Sequence, residues 1–310
     1  MVDLVCISLS DKTVVDIPPK TIVCLGNFDG VHLAHRALLK QAERLQKESF
    51  PDAARCVFSF HEPSWASFSK EEPQFLSTEE ERLSSFFEAG IEYAILCSFG
   101  AIRDHSPEQF VKEVLLGGCH CVAAVCGFNY RFGKMGAGTP EHLCALLKAP
   151  VVIQNEVVML GDTVSSSRIR TLLSSGDVKT AGQLLGVPYS LTAKVIHGKA
   201  LGKQLGFPTI NQEIPPKKTV PRCGVYLTSC RVDEEVYYGV TNVGVHPTVD
   251  QCAVLNCETH LLDVEKDLYE KTVTVSFLEF LRPEKRFSSV EELCLQLQQD
   301  LATARSLLPH

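Results

Sequence analysis

A chain of 310 residues has room for two domains, each able to bury its own core, and 45% hydrophobic with 22% charged residues is ordinary for a soluble globular protein. The net charge of -7 argues against a nucleic-acid partner, because affinity for a phosphate backbone needs a basic surface, so any phosphate recognition must be local. Met1 to Ser10 lacks the basic start and cleavage site of a secretory signal, and no apolar run reaches the roughly 18 residues of a membrane span, so a cytoplasmic chain without a membrane partner is expected.

Thr21 to Leu25 reads as a buried parallel strand, and Leu38, Leu39, Ala42 and Leu45 follow at helical spacing. Between them lies Gly26-Asn27-Phe28-Asp29-Gly30-Val31-His32-Leu33-Ala34-His35, a strand-to-helix turn. Its two glycines allow close ligand approach, and a helix starting near Ala34 points free N–H groups back at the turn, where a phosphate can be held. His32 and His35 add two side-chain donors beside that anion. The combination suggests nucleotidyl transfer, with imidazoles steadying charge on a phosphate. A histidine pair at a helix start can also simply cap or pack.

The alternation continues. Cys56 to Phe60 reads as a strand, Ser77 to Glu81 carries overlapping capping boxes before a helix ending at Gly90, and Tyr93 to Cys97 is the next strand. Ser106-Pro107-Glu108 starts a helix that Gly117-Gly118 stops. Strand Cys121 to Val125, helix Thr139-Pro140 to Leu147 and strand Val151 to Ile153 follow. That order predicts a doubly wound parallel sheet over residues 1–186, with ligands at the carboxyl ends of its strands. Two further turns fall there. Gly127 to Gly133 brings Asn129 and Arg131 after a strand, and Val164 to Arg170 opens a helix with serines and arginines suited to an anion, although a serine run is commonly only an N-cap.

Thirteen cysteines look many, but none forms a Cys-x-x-Cys pair, and Cys24, Cys56, Cys97 and Cys126 sit in apolar runs as small hydrophobes, as in a reducing compartment. Cys119-His120-Cys121 is the one metal-like cluster and reads as the mouth of a strand.

The rhythm changes around Gly186-Val187-Pro188. Leu191, Ala193 and Val195 alternate with polar residues, as do Val273, Val275 and Phe277, with Gly224 to Cys230 and Val236 to Val240 between them, joined at Asp233-Glu234. These short strands predict a small antiparallel barrel over residues 187–310. A closing helix, Ser288 to Leu307, is capped by Ser288 and Glu291 and carries a stripe of Val290, Leu293, Leu297, Leu301 and Ala304 for packing on the barrel.

The barrel half also contains Gly202-Lys203-Gln204-Leu205-Gly206-Phe207-Pro208-Thr209-Ile210-Asn211, Pro221-Arg222-Cys223-Gly224-Val225-Tyr226, Asn242-Val243-Gly244-Val245-His246-Pro247-Thr248 and Glu258-Thr259-His260-Leu261-Leu262-Asp263. With the histidine turn and the triple serine, these motifs make the chain resemble the bacterial bifunctional riboflavin kinase/FMN adenylyltransferases, the prokaryotic FAD synthetases, over nearly its whole length and in the family's order. The resemblance implies two reactions on small-molecule substrates: riboflavin phosphorylated by ATP with Mg²⁺ to FMN in the barrel, and FMN adenylylated by a second ATP to FAD and pyrophosphate in the α/β domain.

For the kinase, the resemblance implies that Thr209 and Asn211 take Mg²⁺ and phosphate oxygens, that Gly198 to Gly206, including Gly202, forms a glycine flap, and that Glu258 is the base for the ribityl 5'-hydroxyl. Aromatics such as Phe207 and Tyr226 would line a slot for the flavin ring. For the transferase, FMN phosphate is itself the nucleophile, so the protein must align two anions and offset charge at the α-phosphorus. His32 and His35 fit that role. Gly26, Phe28, Asp29, Asn129, Arg131, Ser166, Ser167 and Arg170 are the accompanying nucleotide-binding candidates. One departure stands out: Ala34 replaces the glycine of the family's His-x-Gly-His turn, which keeps open a kinase whose nucleotidyltransferase domain is inactive. A flavin-binding regulator without activity would have no need of Glu258.

Overall fold

The computed structural model describes residues 2, 4–69, 72–197, 205–247, 253–264 and 266–308, without the side chains of 245–247 and 253–255. It divides into two compact units, Met1–Ser166 and Ser167–His310.

The first unit is built on a seven-stranded sheet of order β2-β1-β5-β4-β3-β6-β7. Strands β3 (Thr21–Leu25), β4 (Ala54–Phe60), β5 (Tyr93–Cys97), β6 (Cys121–Gly127) and β7 (Val151–Gln154) run parallel, as their unbroken apolar runs predict. Strand β3 has β4 on one side and β6 on the other, the arrangement that opens a crevice at its carboxyl end. Side chains alternate between two apolar layers. Val23, Leu25, Phe58 and Cys126 meet Phe110, Val114 and Leu143 on one face. Ile22, Cys24, Val57 and Leu96 meet Leu38, Leu39, Ala42 and Phe86 on the other.

Helix α1 (Leu33–Ser49) supplies Leu38, Leu39 and Ala42. Helix α2 (Glu79–Glu88) begins in a capping box between Thr78 and Glu81. After a short α3 (Phe99–Ile102), Ser106 and Gln109 form a second box at α4 (Pro107–Gln109), which continues as a π-helical stretch, Phe110–Leu116. Helix α5 (Pro140–Leu147) is capped by Thr139. An antiparallel extension, β1 (Val5–Ser8) and β2 (Thr13–Val15), lengthens the sheet beyond β5, and β8 (Val158–Met159) and β9 (Asp162–Thr163) form a hairpin. Cys119 and Cys121 are buried, and His120 Nδ1 is 2.9 Å from the Pro18 carbonyl oxygen, so the Cys-His-Cys run is strand-edge packing.

The second unit begins with helices α6 (Ser166–Ser175), whose first residue belongs to the other unit, and α7 (Val178–Leu185), capped by Asp177 and ended by Gly186 at φ 80°. A closed barrel follows, β10 (Ser190–Ile196), β11 (Ile210–Glu213), β14 (Ala253–Leu261), β13 (Glu235–Pro247), β12 (Gly224–Val232) and β15 (Thr272–Pro283), in that spatial order. Tyr226 and Phe277 pack edge to face in its interior. The hydroxyls of Thr228, Thr241 and Thr259 form a chain there with spacings of 2.7 and 2.8 Å, and the Gln212 Nε2 donates to the Ala193 and Val273 carbonyls, while its Oε1 has no hydrogen-bond partner among the described residues.

Helix α8 (Val290–Leu307) is capped one residue later than its sequence suggests: Ser289 accepts from the Glu292 N–H, while the Glu292 carboxylate accepts from Ser288. The expected stripe holds from Leu293 onward. Ala304 is buried on the barrel, whereas Val290 is 54% exposed. No helix among the described residues is long and apolar enough to cross a membrane.

Candidate active sites

The turn after β3 is a strained piece of backbone held from several sides. Phe28, Gly30 and Val31 have φ of 52°, 82° and 41°, a region that a phenylalanine or a β-branched valine enters only when its surroundings require it. The surroundings do. The Asp29 carboxylate accepts from the Leu76 and Ser77 N–H groups at 2.8 and 3.3 Å, Gly30 N–H donates to Ser77 Oγ, and Ser166 Oγ donates to the Asp29 carbonyl at 2.9 Å. Phe28 is fully buried between Phe86 and His35, and a Cβ on Gly26 would stand 3.1 Å from its ring.

The two histidines come together. His32, 5% exposed, is the N-cap of α1: its Nδ1 accepts from the His35 N–H at 3.4 Å, which leaves its proton on Nε2. The rings stack with centroids 3.7 Å apart and 13° between planes. Burial, and then the neighbouring His32, hold the His35 imidazole well below the usual histidine range, so His35 is neutral at pH 7. Its buried Nδ1 has no hydrogen-bond partner among the described residues. A neutral His35 imidazole stacked on His32 at a helix start offers an N–H donor to an anion without the desolvation cost of a buried imidazolium.

Asn129 and Arg131 are exposed in the loop after β6, whose last residues pair with the end of β3, so they share the sheet edge of the histidine turn. The Arg131 guanidinium donates to the Tyr130 carbonyl. Ser167 and Arg170 follow Ser166 in the opening turns of α6, on the second unit's side of the boundary. One participant escaped the sequence reading: Arg82, 2% exposed, donates to the carbonyls of Asn27, Phe60 and His61. Its helical position gave no sign that an arginine there turns inward.

In the second unit, Asn211 and Glu258 are direct partners across β11 and β14, and Asn242 of β13 faces Glu258 from the other side. Strand alternation sends Cys257 and Thr259 into the barrel and leaves Glu258 and His260 on its outer face. A cavity of about 240 Å³ opens there. Thr209, Asn242, Glu258 and His260 line it on the polar side; Phe207, Val225, Val240 and residues Leu293, Leu297 and Leu301 of α8 line the rest. Phe207 thus stands where a planar ring could rest. Tyr226 does not: it is fully buried in the barrel, with its hydroxyl donating to the Arg222 carbonyl, because its strand position points inward.

Gly206 adopts φ 84° at the entry to this region, a backbone that favours glycine, and Gly202 lies outside the described residues, as does most of the expected flap. A second unanticipated pair closes the far wall. Arg282 of β15 makes a bidentate ion pair with Asp300 of α8, at 2.7 to 3.1 Å, and Gln296 donates to the same carboxylate.

Comparisons with known proteins match the two halves of the chain in order. A family model described as FAD synthetase matches residues 15–168, and one described as riboflavin kinase matches residues 185–308. Bifunctional riboflavin kinase/FMN adenylyltransferases from Listeria monocytogenes, Bacillus subtilis and Pseudomonas fluorescens are 31%, 32% and 34% identical, over 92%, 91% and 92% of this chain and 91%, 90% and 92% of theirs. The crystal structure of a protein titled a macrolide-efflux protein, from Streptococcus pneumoniae, superposes with a TM-score of 0.87 at 28% identity, over 97% of this chain and 98% of that one. The fold, the order of the two domains and the relatives agree: the chain belongs to the bifunctional riboflavin kinase/FMN adenylyltransferase family.

Proposed function

We propose that the barrel unit transfers the γ-phosphoryl of ATP to riboflavin, giving FMN and ADP, and that the α/β unit joins FMN to the AMP part of a second ATP, giving FAD and pyrophosphate. The product of the first reaction is the acceptor of the second. Functionally we divide the chain at 186/187, so that α6 and α7 go with the nucleotidyltransferase.

The observation that carries the kinase reading is the pairing of Asn211 with Glu258 beside a cavity that Thr209 also lines. Glu258 accepts the proton of the ribityl 5'-hydroxyl, which then attacks the γ-phosphorus. The Thr209 hydroxyl and Asn211 amide oxygen are hard oxygen donors, the type that a hard divalent cation takes, and we assign them to Mg²⁺ and the phosphates; the ion would offset charge on the phosphate oxygens. The partly apolar cavity under α8 takes the isoalloxazine, with Phe207 beside it.

In the other unit, the FMN phosphate attacks the α-phosphorus directly, so alignment and charge are all that the protein supplies. The histidine stack donates to α-phosphate oxygens, and Asn129, Arg131, Ser166, Ser167 and Arg170 hold the remaining phosphates. Ala34 is no obstacle conformationally, because it lies inside α1, where a Cβ is unstrained.

The test is an incubation of the purified protein with riboflavin, ATP and Mg²⁺, with flavins separated by chromatography over time. FMN that rises and then gives way to FAD is expected. FMN accumulating without FAD, even when FMN and ATP are supplied directly, would restrict the activity to the kinase.

A further inference from the structure

We infer that Arg82 is a positioning residue of the adenylyl-transfer site, acting through the backbone of the histidine turn; this rests on the reading of His32 and His35 given above. A guanidinium that is only 2% exposed is ordinarily matched to a carboxylate. Here the nearest carboxylate, Glu79, is 4.0 Å away and is itself 2.9 Å from His61 Nδ1. The donors of Arg82 go instead to three carbonyls: Asn27 at 3.2 Å, Phe60 at 2.7 Å and His61 at 2.9 Å.

Those carbonyls lie at and just beyond the carboxyl ends of β3 and β4, where sheet pairing ends and backbone acceptors lose their partners. One planar fork therefore fixes the spacing between the exits of two adjacent strands. Asn27 is the pivot. Its carbonyl also accepts from Ser59 Oγ, and its side-chain oxygen accepts from both the N–H and the hydroxyl of Ser64. Five residues later His32 caps α1. The strained φ values at Phe28 and Val31 lie between pivot and cap, so rotation at Asn27 is carried to the imidazoles.

Arginine suits this task better than lysine, since an ammonium cannot present donors to three carbonyls in one rigid plane. Displacement of an aligned group on the order of 1 Å costs about 100-fold in rate, so Arg82→Met is expected to lower kcat for FAD formation by about that factor while KM for FMN and ATP stays nearly constant. Arg82→Lys should restore part of it. FMN formation from riboflavin by the same preparations should be unchanged.

The deciding experiment is a double-mutant cycle of Arg82→Lys with His32→Ala on full-length protein, using FMN and ATP. If Arg82 works through the histidine turn, the lysine substitution has little further effect once His32 is gone. Additive losses overturn the inference, as does an Arg82→Lys protein with wild-type kcat. An Arg82→Lys protein that lacks a cooperative melt for the first unit also overturns it, in favour of a folding role. His32→Ala that keeps full FAD formation would instead refute the reading of the site itself.

Discussion

Asn211 and Glu258 face each other across β11 and β14, and Asn256 Nδ2 stands 3.3 Å from the Asn211 side-chain oxygen and 3.4 Å from Glu258 Oε1. The Asn256 amide thus steadies both groups while Glu258 remains an acceptor. Glu258→Gln keeps the shape and removes the base. FMN formation should fall by about 10²- to 10⁴-fold, the scale of a general base, while FAD formation from supplied FMN persists. Chromatography of both reactions checks this, and equal loss of both would contradict separate sites.

The histidine stack predicts a pH-dependent stability. His35 is held neutral by burial and by His32, with its pKa below the unfolded value of about 6.5. Between those two values the unfolded chain binds more protons than the folded one. The stabilisation is therefore complete above about pH 6.5 and is lost as pH falls, with a slope of up to about 1.4 kcal/mol per pH unit for one group. Denaturant unfolding at pH 7.5 and 5.5 should show His35→Gln less sensitive to acid than the parent. An unchanged pH slope would show that His35 titrates normally.

Much of the first unit was legible because a parallel strand buried on both faces is a plain apolar run: Thr21–Leu25 and Tyr93–Cys97 appear at the bounds that the sequence predicts. Capping chemistry was nearly as clear, although at α8 the cap is Ser289 and not the adjacent Ser288 that the sequence suggests. Less legible was β11, where Asn211 and Gln212 are both buried polar residues; the barrel meets the Gln212 amide nitrogen with carbonyls from two other strands, which no local pattern announces. The same holds for Arg82 and for the Arg282–Asp300 pair. Their meaning lies in carbonyls and carboxylates that only the fold brings near. Tyr226 was assigned to the flavin slot as an aromatic near the right motif, and strand alternation turns it inward.

Ala34 offers a direct check on the one departure from the family's histidine turn. Its backbone is helical, so glycine there relieves no strain and adds unfolded-state freedom. Ala34→Gly should leave the rate of FAD formation unchanged and lower the stability of the first unit by up to about 1 kcal/mol. A marked rise in FAD formation would show that the methyl group crowds the bound nucleotide.

The Arg282–Asp300 pair should govern how firmly α8 closes the flavin cavity. Asp300 is 4% exposed and Arg282 19% at the side chain, so water does little to screen the pair. Asp300→Ala leaves a largely buried guanidinium without its carboxylate, which costs about 3 kcal/mol, the lower end for such a broken pair. Leu293, Leu297 and Leu301 ride on the same helix and form a wall of the cavity, so KM for riboflavin should rise as stability falls. Replacing both partners by apolar residues, Arg282→Met with Asp300→Leu, removes the unpaired charge and should recover most of the stability. Denaturant unfolding and riboflavin saturation curves on the single and double variants measure both effects. An Asp300→Ala protein as stable as the parent would show that the apolar packing of α8 alone holds the helix in place.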